Sequence, residues 1–215
     1  PEKLAVVINS YLSEMTQIAL DSGGTIDKFI GDAVLVFFGD PDTRGDQEDA
    51  LACIDMALQM QNRIRELQGY WKKNGVASGL HVRMGITSGY CTVGNFGSDQ
   101  RMDYTVFGKP VNLASRLESL AKADQILIAD STHALVEQQV ECEMVDEVQP
   151  KGFARPVKYH SVTGFKAAHQ REHRSLSRTL DHVEVNILDS SDLKAAMREL
   201  KQIEKELEQQ LKKSS

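Results

Sequence analysis

The feature that most constrains the fold is a continuous apolar run over residues 33–38, which lies between two glycine-containing turns. The run has the length of a β-strand, and an unbroken apolar run is typical of a strand with both faces covered. A helical pattern precedes it over residues 4–19 and ends at Ser22-Gly23-Gly24. A second helical pattern begins at Asp46 and reaches about Leu67. Helices and strands therefore belong to one mixed domain.

Further strands and helices intermix up to about Gly164. Two expected strands, at residues 81–87 and 91–95, flank Ser88-Gly89, which suits a hairpin turn. The other expected elements are a strand at 104–107, a helix at 110–120, a strand at 125–129, a short helix capped by Ser131, and a strand pair at 143–148 and 157–162. This order predicts an α+β domain over residues 1–164.

The chain changes character after residue 164. Residues 165–189 are polar and show no clear period, which predicts a linker. Residues 190–215 predict an amphipathic C-terminal helix, capped by Ser190 or Ser191, whose apolar stripe comprises Leu193, Met197, Leu200, Ile203, Leu207 and Leu211. The stripe is short for an independent coiled coil, so we expect it to pack on the domain or on a partner.

The composition excludes several classes of protein. The 215 residues carry 25 Lys and Arg against 31 Asp and Glu, and 41% are hydrophobic, so disordered chains, collagen and general nucleic-acid binders are excluded. Three scattered cysteines indicate reduced thiols and a cytoplasmic protein. No apolar run approaches the roughly 18 residues of a membrane span. The initial Pro1 is not a natural translation start and indicates a piece of a longer protein.

The first chemical motif, Gly24-Thr-Ile-Asp-Lys-Phe-Ile-Gly-Asp32, leads directly into the apolar strand. A carboxylate at a tight turn beside a rigid strand is held in place and exposed, and Asp32 could therefore ligate a hard cation such as Mg²⁺. Taken alone, Gly31-Asp32 could equally be an ordinary turn with Lys28 solvated.

The second motif is Arg101-Met-Asp-Tyr-Thr-Val-Phe-Gly-Lys-Pro-Val-Asn-Leu-Ala-Ser-Arg116. Asn112 and Arg116 are four residues apart, so they share one helical face near a helix N-terminus and could bind an oxyanion or a phosphate. The alternative is an ion pair between Arg116 and a nearby carboxylate. A third segment, Lys151-Gly152, lies at a hairpin turn, where a lysine alone usually serves solubility.

Together and in this order, these motifs resemble the class III adenylate/guanylate cyclase catalytic domain of the bacterial adenylate cyclase type. The resemblance covers residues 1–164 and implies a ferredoxin-like (palm-like) α+β fold. It implies a head-to-tail homodimer with composite active sites and an upstream sensor or regulatory domain in the parent protein. That parent would be cytoplasmic or tethered to a membrane.

The resemblance also assigns roles to residues. Asp32 becomes a ligand for Mg²⁺ or Mn²⁺, of which the complete site holds two ions. Asn112 and Arg116 become the catalytic pair that positions the ribose and stabilises the transition state. Lys151, and more loosely Arg101, become ligands of the triphosphate.

Lys28 and Thr105 fall on the purine-reading positions of this family. A lysine donor can meet N1 of adenine, and a threonine oxygen can accept a hydrogen bond from the 6-amino group. Guanine reverses both, and the guanylate cyclases of the family carry Glu and Cys there. The resemblance therefore implies an adenylate cyclase that converts ATP into 3′,5′-cyclic AMP and pyrophosphate by attack of the ribose 3′-oxygen on the α-phosphorus.

One element of the family pattern has no counterpart in this chain. The first metal-binding aspartate of the family lies in an Asp-Ile/Leu-x-Gly-Phe-Thr strand before the opening helix, whereas Asp21 and Asp27 follow that helix. The N-terminal strand is thus apparently missing, and we expect the chain as given to have little activity. The alternatives are a non-catalytic dimerisation or regulatory module and, with less support, a guanylate cyclase.

Overall fold

The computed structural model describes residues 2–73, 79–150, 152–167, 169, 176–179, 184–187 and 197–205. The chain divides into two compact units, Pro1–Gly164 and Phe165–Ser215. The elements in chain order are α1 (Glu2–Asp21), β1 (Thr25–Ile30), β2 (Ala33–Phe37), α2 (Asp46–Lys73), β3 (Met84–Ile86), β4 (Thr92–Ser98), β5 (Arg101–Phe107), α3 (Lys109–Leu120), β6 (Ile126–Ala129), α4 (Asp130–Val136), β7 (Val140–Val148), β8 (Val157–Phe165), β9 (Leu176–Thr179) and β10 (Glu184–Ile187).

The first core lies between α1, α2 and the β1–β2 hairpin. Its buried members come from the inward faces of the two helices and are Val7, Tyr11, Met15, Ala19, Met56, Met60, Ile64 and Trp71. Val34 and Val36, two residues apart on β2, pack against this cluster from one face of the strand.

The expectation that residues 33–38 are covered on both faces is wrong for the described structure. Ala33 is exposed, and the rest of β2 is only half-buried. The helices cover β2 through Val34 and Val36, and among the described strands β2 pairs with β1 alone. It is therefore a strand of a two-stranded hairpin and not a central strand of a larger sheet.

The second core lies under α3, on a four-stranded sheet of order β3-β6-β8-β7. Leu113, Leu117 and Ala121 of this helical region pack with side chains from β6 and β8. Gly85 of β3 allows the close approach of α3, since a Cβ at this position would overlap the backbone of Ala114 and Glu118.

The predicted hairpin between residues 81–87 and 91–95 is wrong. β3 pairs in parallel with β6, and β4 pairs antiparallel with β5. The intervening loop is held elsewhere, because the Thr87 hydroxyl donates to the Pro110 carbonyl at 2.8 Å and the Ser131 hydroxyl donates to the Ser88 carbonyl at 2.9 Å. Ser131 consequently does not cap α4, whose N-terminus has no side-chain cap among the described residues.

Several other predicted elements are confirmed. α1 covers the predicted pattern and is followed by Gly23 in the left-handed region, with φ 81°. α2 begins at Asp46 as predicted but extends beyond Leu67 to Lys73. β7 and β8 are neighbours in the sheet, which confirms the last predicted strand pair and the α+β class.

The second unit contains more structure than its polar composition indicates. Within residues 165–189, where we predicted a linker, β9 and β10 form an antiparallel pair from Leu176↔Ile187 to Thr179↔Glu184. Residues 197–205 are helical, and the side chains of Met197, Leu200 and Ile203 are exposed. The other stripe residues, Leu193, Leu207 and Leu211, lie outside the described residues. In the described ranges, no helix is both long and apolar enough to cross a membrane.

Candidate functional site

Two residues that the sequence places in a purine-reading pair are in direct contact. The Lys28 ammonium of β1 donates a hydrogen bond to the Thr105 hydroxyl of β5 at 2.9 Å. Thr105 is buried, with 3% of its surface exposed, whereas the Lys28 side chain is 43% exposed. A fixed hydroxyl and a solvent-reaching ammonium thus lie side by side at the edge of the β1–β2 and β4–β5 hairpins.

A third residue of this site, Asp27, was not predicted. Its side chain is 1% exposed, and its Oδ2 accepts hydrogen bonds from the Thr105 hydroxyl at 2.7 Å and from the Val106 amide at 3.4 Å. Its Oδ1 lies 3.4 Å from the Lys28 ammonium and is buried without a hydrogen bond. Asp27 therefore contacts both members of the predicted pair through a side chain that is itself buried.

A β-bulge explains how neighbouring residues of one strand reach the same partner. Ile26 pairs with Val36 and Lys28 pairs with Leu35, so the register of β1 shifts between these pairs and Asp27 is the extra residue. In a regular strand, consecutive side chains point to opposite faces. A bulge re-aims one of them, and this is why both Asp27 and Lys28 contact Thr105.

Asp32 is displayed by a tight turn. Ile30 pairs with Ala33, so Gly31-Asp32 is a two-residue hairpin loop, and Gly31 has φ 66°. A glycine at the first central position is what a type II′ hairpin turn requires. The Asp32 carboxylate is exposed, and its charge acts on a buried phenol: burial raises the pKa of Tyr11 to about 12, and Asp32 adds to the increase.

The chemistry of Asp32 fits a hard divalent cation, because an exposed carboxylate supplies the oxygen ligand that Mg²⁺ or Mn²⁺ prefers. It supplies one ligand only. In the described part of the chain, Asp32 does not belong to any group of three or more His, Cys, Asp or Glu side chains close enough to share an ion.

α3 displays the predicted catalytic pair on its outer face. Leu113 and Leu117 are buried, whereas Asn112 and Arg116, each one residue earlier in the helix, are exposed. Arg116 forms no ion pair with any described carboxylate, so the described residues do not supply the partner that the alternative interpretation requires. Its guanidinium lies near Tyr159: burial raises the pKa of that phenol, and Arg116 acts in the opposite direction.

The structure gives less information on the two remaining predicted residues, Arg101 and Lys151. Arg101 begins β5 at the tip of the β4–β5 hairpin, opposite Ser98, and its Nε lies 3.7 Å from Oδ2 of Asp103. Both side chains are largely exposed, so this ion pair contributes little to stability. Lys151 lies outside the described residues.

Within one chain the predicted residues do not form a single contact set. Lys28 and Thr105 are joined, but among the described residues no hydrogen bond or ion pair joins Asp32, Asn112 or Arg116 to them. Among the described residues, the purine-reading pair and the outer face of α3 are therefore not linked by a direct polar contact.

A second cluster of ionisable side chains lies on α4 and β8. His160 Nε2 is 3.1 Å from Asp130 Oδ1, and the His133 and His160 rings stack with centroids 3.9 Å apart and planes 5° apart. Ring nitrogens bind metals in the plane of the ring, so two parallel, stacked rings cannot both direct a lone pair at one ion. Two imidazoles are also poor ligands for Mg²⁺. This cluster is distinct from the cation site expected at Asp32.

Comparison with known proteins identifies the family. Residues 1–164 match the family described as the adenylate and guanylate cyclase catalytic domain. The chain belongs to this family. The adenylyl cyclase CyaB from P. aeruginosa has a similar structure, with a TM-score of 0.74 and 48% identity over 78% of this chain and 85% of that chain. The cyclase fold expected from the motifs is thereby confirmed.

Other relatives include both nucleotide classes. The guanylyl cyclase Cya2 aligns with a TM-score of 0.72 and 36% identity, over 78% of this chain and 83% of that chain. The adenylate cyclase of Anabaena cylindrica is 36% identical over 61% of this chain and 26% of its own length. The first curated relatives are much longer proteins, of which this cyclase chain covers between 7% and 27%. Family membership therefore does not distinguish ATP from GTP as the substrate, and the residues of the site must decide between them.

Proposed function

We propose that this cyclase domain is an adenylate cyclase, which converts ATP into 3′,5′-cyclic AMP and pyrophosphate. The observation that carries the proposal is the contact between the Lys28 ammonium and the Thr105 hydroxyl at 2.9 Å. Adenine presents an acceptor, N1, next to a donor, the 6-amino group, and this pair of side chains offers a donor next to an oxygen. Guanine presents a donor at N1 and an acceptor at O6, which leaves polar groups unmatched in a partly buried site.

The outer face of α3 would act on the reacting phosphate. Asn112 would orient the ribose by hydrogen bonds from its amide, and the Arg116 guanidinium would meet the charge that grows on the α-phosphoryl oxygens. The absence of an ion pair to any described carboxylate leaves the Arg116 charge available for this role. The role of Lys151 and Arg101 as ligands of the triphosphate stays a prediction.

Asp32 would hold the divalent cation through its exposed carboxylate. When bound, Mg²⁺ or Mn²⁺ supplies positive charge to the phosphates and lowers the pKa of the attacking hydroxyl. The two-residue turn at Gly31-Asp32 fixes the position of this carboxylate relative to β1, which also carries Lys28.

A composite site in a homodimer is part of this proposal, and the family resemblance supports it. One protomer would supply Lys28, Thr105 and Asp32, and its partner would supply Asn112 and Arg116. Under two-fold symmetry the same contacts would be made twice, so a dimer would contain two equivalent sites.

The test is product formation from ATP with Mn²⁺, with products separated by chromatography. We expect 3′,5′-cyclic AMP and pyrophosphate in equal amounts, at a low absolute rate because the first metal-binding aspartate of the family has no counterpart here. Arg116→Ala should reduce the rate by on the order of 100-fold. Arg65→Ala, an exposed arginine on α2, is the matched control and should retain the rate.

A second comparison tests the purine assignment. The double substitution Lys28→Glu with Thr105→Cys should move turnover from ATP towards GTP, because it reverses the hydrogen-bonding pattern offered to the base. A chain that binds neither nucleotide and forms no product would instead support the non-catalytic module. Retention of ATP preference after the double substitution would refute the purine assignment.

A further inference from the structure

We propose that Asp27 determines the purine preference by fixing the Thr105 hydroxyl as a hydrogen-bond acceptor towards the base. This inference rests on the proposed function, because it concerns how the same site reads adenine. Asp27 is a positioning residue in this account: it contacts Lys28 and Thr105, and it acts on the nucleotide only through them.

A threonine hydroxyl is ambiguous by itself, since it has one hydrogen to donate and two lone pairs that accept. With free rotation, Thr105 could donate to O6 of guanine as readily as it accepts from the 6-amino group of adenine. Discrimination therefore requires something that determines where the hydroxyl hydrogen points.

Asp27 supplies that constraint. Its Oδ2 accepts the hydroxyl hydrogen of Thr105 at 2.7 Å, and an ionised carboxylate can only accept. Every polar neighbour recorded for this carboxylate is a donor, namely the Thr105 hydroxyl, the Val106 amide and the Lys28 ammonium. The hydrogen of Thr105 is thus directed inwards, and the lone pairs of its oxygen face Lys28 and the nucleotide.

The same carboxylate positions Lys28. Its Oδ1 lies 3.4 Å from the Lys28 ammonium, which also donates to Thr105 at 2.9 Å. The ammonium is therefore held between two oxygens with its remaining hydrogens free for N1 of adenine. One buried carboxylate sets both halves of the reading pair.

The local structure is hard to explain by packing alone. Burial of a carboxylate is unfavourable unless it is fully paired, yet Oδ1 of Asp27 is buried without a hydrogen bond. The bulge that brings Asp27 to Thr105 also leaves Asp27 without a cross-strand partner in β2. Bulges of this kind re-aim side chains next to functional sites.

The decisive variant is Asp27→Leu, which keeps a side chain of similar size and removes both acceptor oxygens. Without an acceptor beside it, the hydroxyl hydrogen of Thr105 can turn towards the base. We expect the preference for ATP over inosine triphosphate, which has O6 in place of the 6-amino group, to fall by at least about 10-fold in kcat/KM. Asp55→Leu, at an exposed aspartate on α2, is the matched control and should leave the preference unchanged.

A double-substitution cycle separates positioning from a general structural role. Thr105→Val removes one of the two groups through which Asp27 acts, so adding Asp27→Leu to it should cause a smaller loss of preference than Asp27→Leu causes in the wild type. Thr105→Ser keeps the hydroxyl and should retain the preference. The fluorescence of Trp71, the only tryptophan and fully buried, reports whether each variant is folded.

The wild-type chain provides a test that needs no variant. Displacement of a fluorescent ATP analogue should rank ATP first, purine riboside triphosphate second and inosine triphosphate third. Purine riboside triphosphate lacks the 6-amino group and loses one hydrogen bond. Inosine triphosphate places its O6 acceptor against the lone pairs of Thr105 and its N1–H donor against the Lys28 ammonium. Inosine triphosphate binding as well as purine riboside triphosphate would overturn the inference.

The remaining outcomes distinguish the two proposals. If the wild type prefers ATP and Asp27→Leu keeps that preference, the role of Asp27 is refuted and the proposed function stands. If the wild type shows no preference for ATP over GTP, the proposed function fails and the role of Asp27 fails with it.

Discussion

At the scale of single residues, the site depends on small departures from regular strand geometry. Lys28 and Thr105 could be predicted because their types and spacing follow the cyclase motifs. Asp27 could not, because strand alternation places consecutive side chains on opposite faces and the bulge in β1 reverses that expectation. A bulge arises from pairing with another strand, which the motif itself does not specify.

The residue-scale prediction concerns Asp32. Asp32→Asn removes the negative charge that a hard cation requires, so we expect the Mn²⁺ concentration for half-maximal turnover to rise by at least about 10-fold. Asp99→Asn, which removes an exposed carboxylate from the β4–β5 turn, is the matched control. An unchanged Mn²⁺ titration in Asp32→Asn would exclude Asp32 as a metal ligand.

At the scale of elements, local patterns predicted the helices better than the strand pairing. α1, the start of α2 and α3 follow from helical periodicity and from glycine and proline signals near their ends. The parallel pairing of β3 with β6 depends on contacts between residues about 40 apart in sequence, which no local signal encodes. The β9–β10 hairpin lies in a segment that is polar overall, but its second strand does carry an alternating signal, Glu184-Val-Asn-Ile187, which the prediction of a linker overlooked.

The close packing of α3 on β3 gives a stability prediction. Gly85→Ala places a methyl group against the α3 backbone, so the helix must move, and we expect a loss of about 1–3 kcal/mol in the free energy of unfolding. Gly69→Ala on the exposed side of α2 meets no atom within 4 Å and should be neutral or stabilising by up to about 1 kcal/mol. Urea denaturation followed by Trp71 fluorescence measures both. Equal effects of the two substitutions would refute the packing argument.

The contact between α1 and α2 gives a pH prediction. Arg63 donates to both carboxylate oxygens of Glu14, at 2.8 and 2.9 Å, and these hydrogen bonds lower the pKa of Glu14. A lowered folded-state pKa means that the pair stabilises above the ordinary pKa of glutamate and that this contribution disappears as the pH falls through the folded value. About a third of each side chain is exposed, so we expect Glu14→Gln to cost only about 0.5–1 kcal/mol at pH 7.

The measurement for that pair is the free energy of unfolding from pH 7 to pH 3. The difference between wild type and Glu14→Gln should shrink towards zero at the acidic end. Glu66→Gln, which removes the more exposed partner of Arg63, is the control and should have the smaller effect. A difference that stays constant with pH would contradict the assigned cause.

At the scale of the whole molecule, the net charge of −6 is a poor guide to the ligand. The residues proposed to meet ATP include Lys28 and Arg116, and local cations of this kind can bind a polyanion on an acidic protein. Among the described residues no direct polar contact joins these two side chains, and we propose that the complete site forms in a homodimer.

The assembly gives a complementation prediction. Lys28→Ala and Arg116→Ala should each be nearly inactive, because every site in either homodimer lacks one residue. When the two variants are mixed and exchange subunits, about half of the dimers become heterodimers. Each heterodimer has one intact site out of two, so about a quarter of the wild-type rate returns. A mixture of Lys28→Ala with Thr105→Val affects the same half-site and should restore nothing. Equal behaviour of the two mixtures would exclude a composite site.

The most direct test of the central claim is a competition between the two purines in one reaction. The wild-type chain is incubated with equimolar ATP and GTP and with Mn²⁺, and the ratio of the two cyclic products gives the ratio of kcat/KM. We predict that cyclic AMP exceeds cyclic GMP by at least about 10-fold, because the Lys28–Thr105 pair matches adenine alone. Equal products, or an excess of cyclic GMP, would contradict the account.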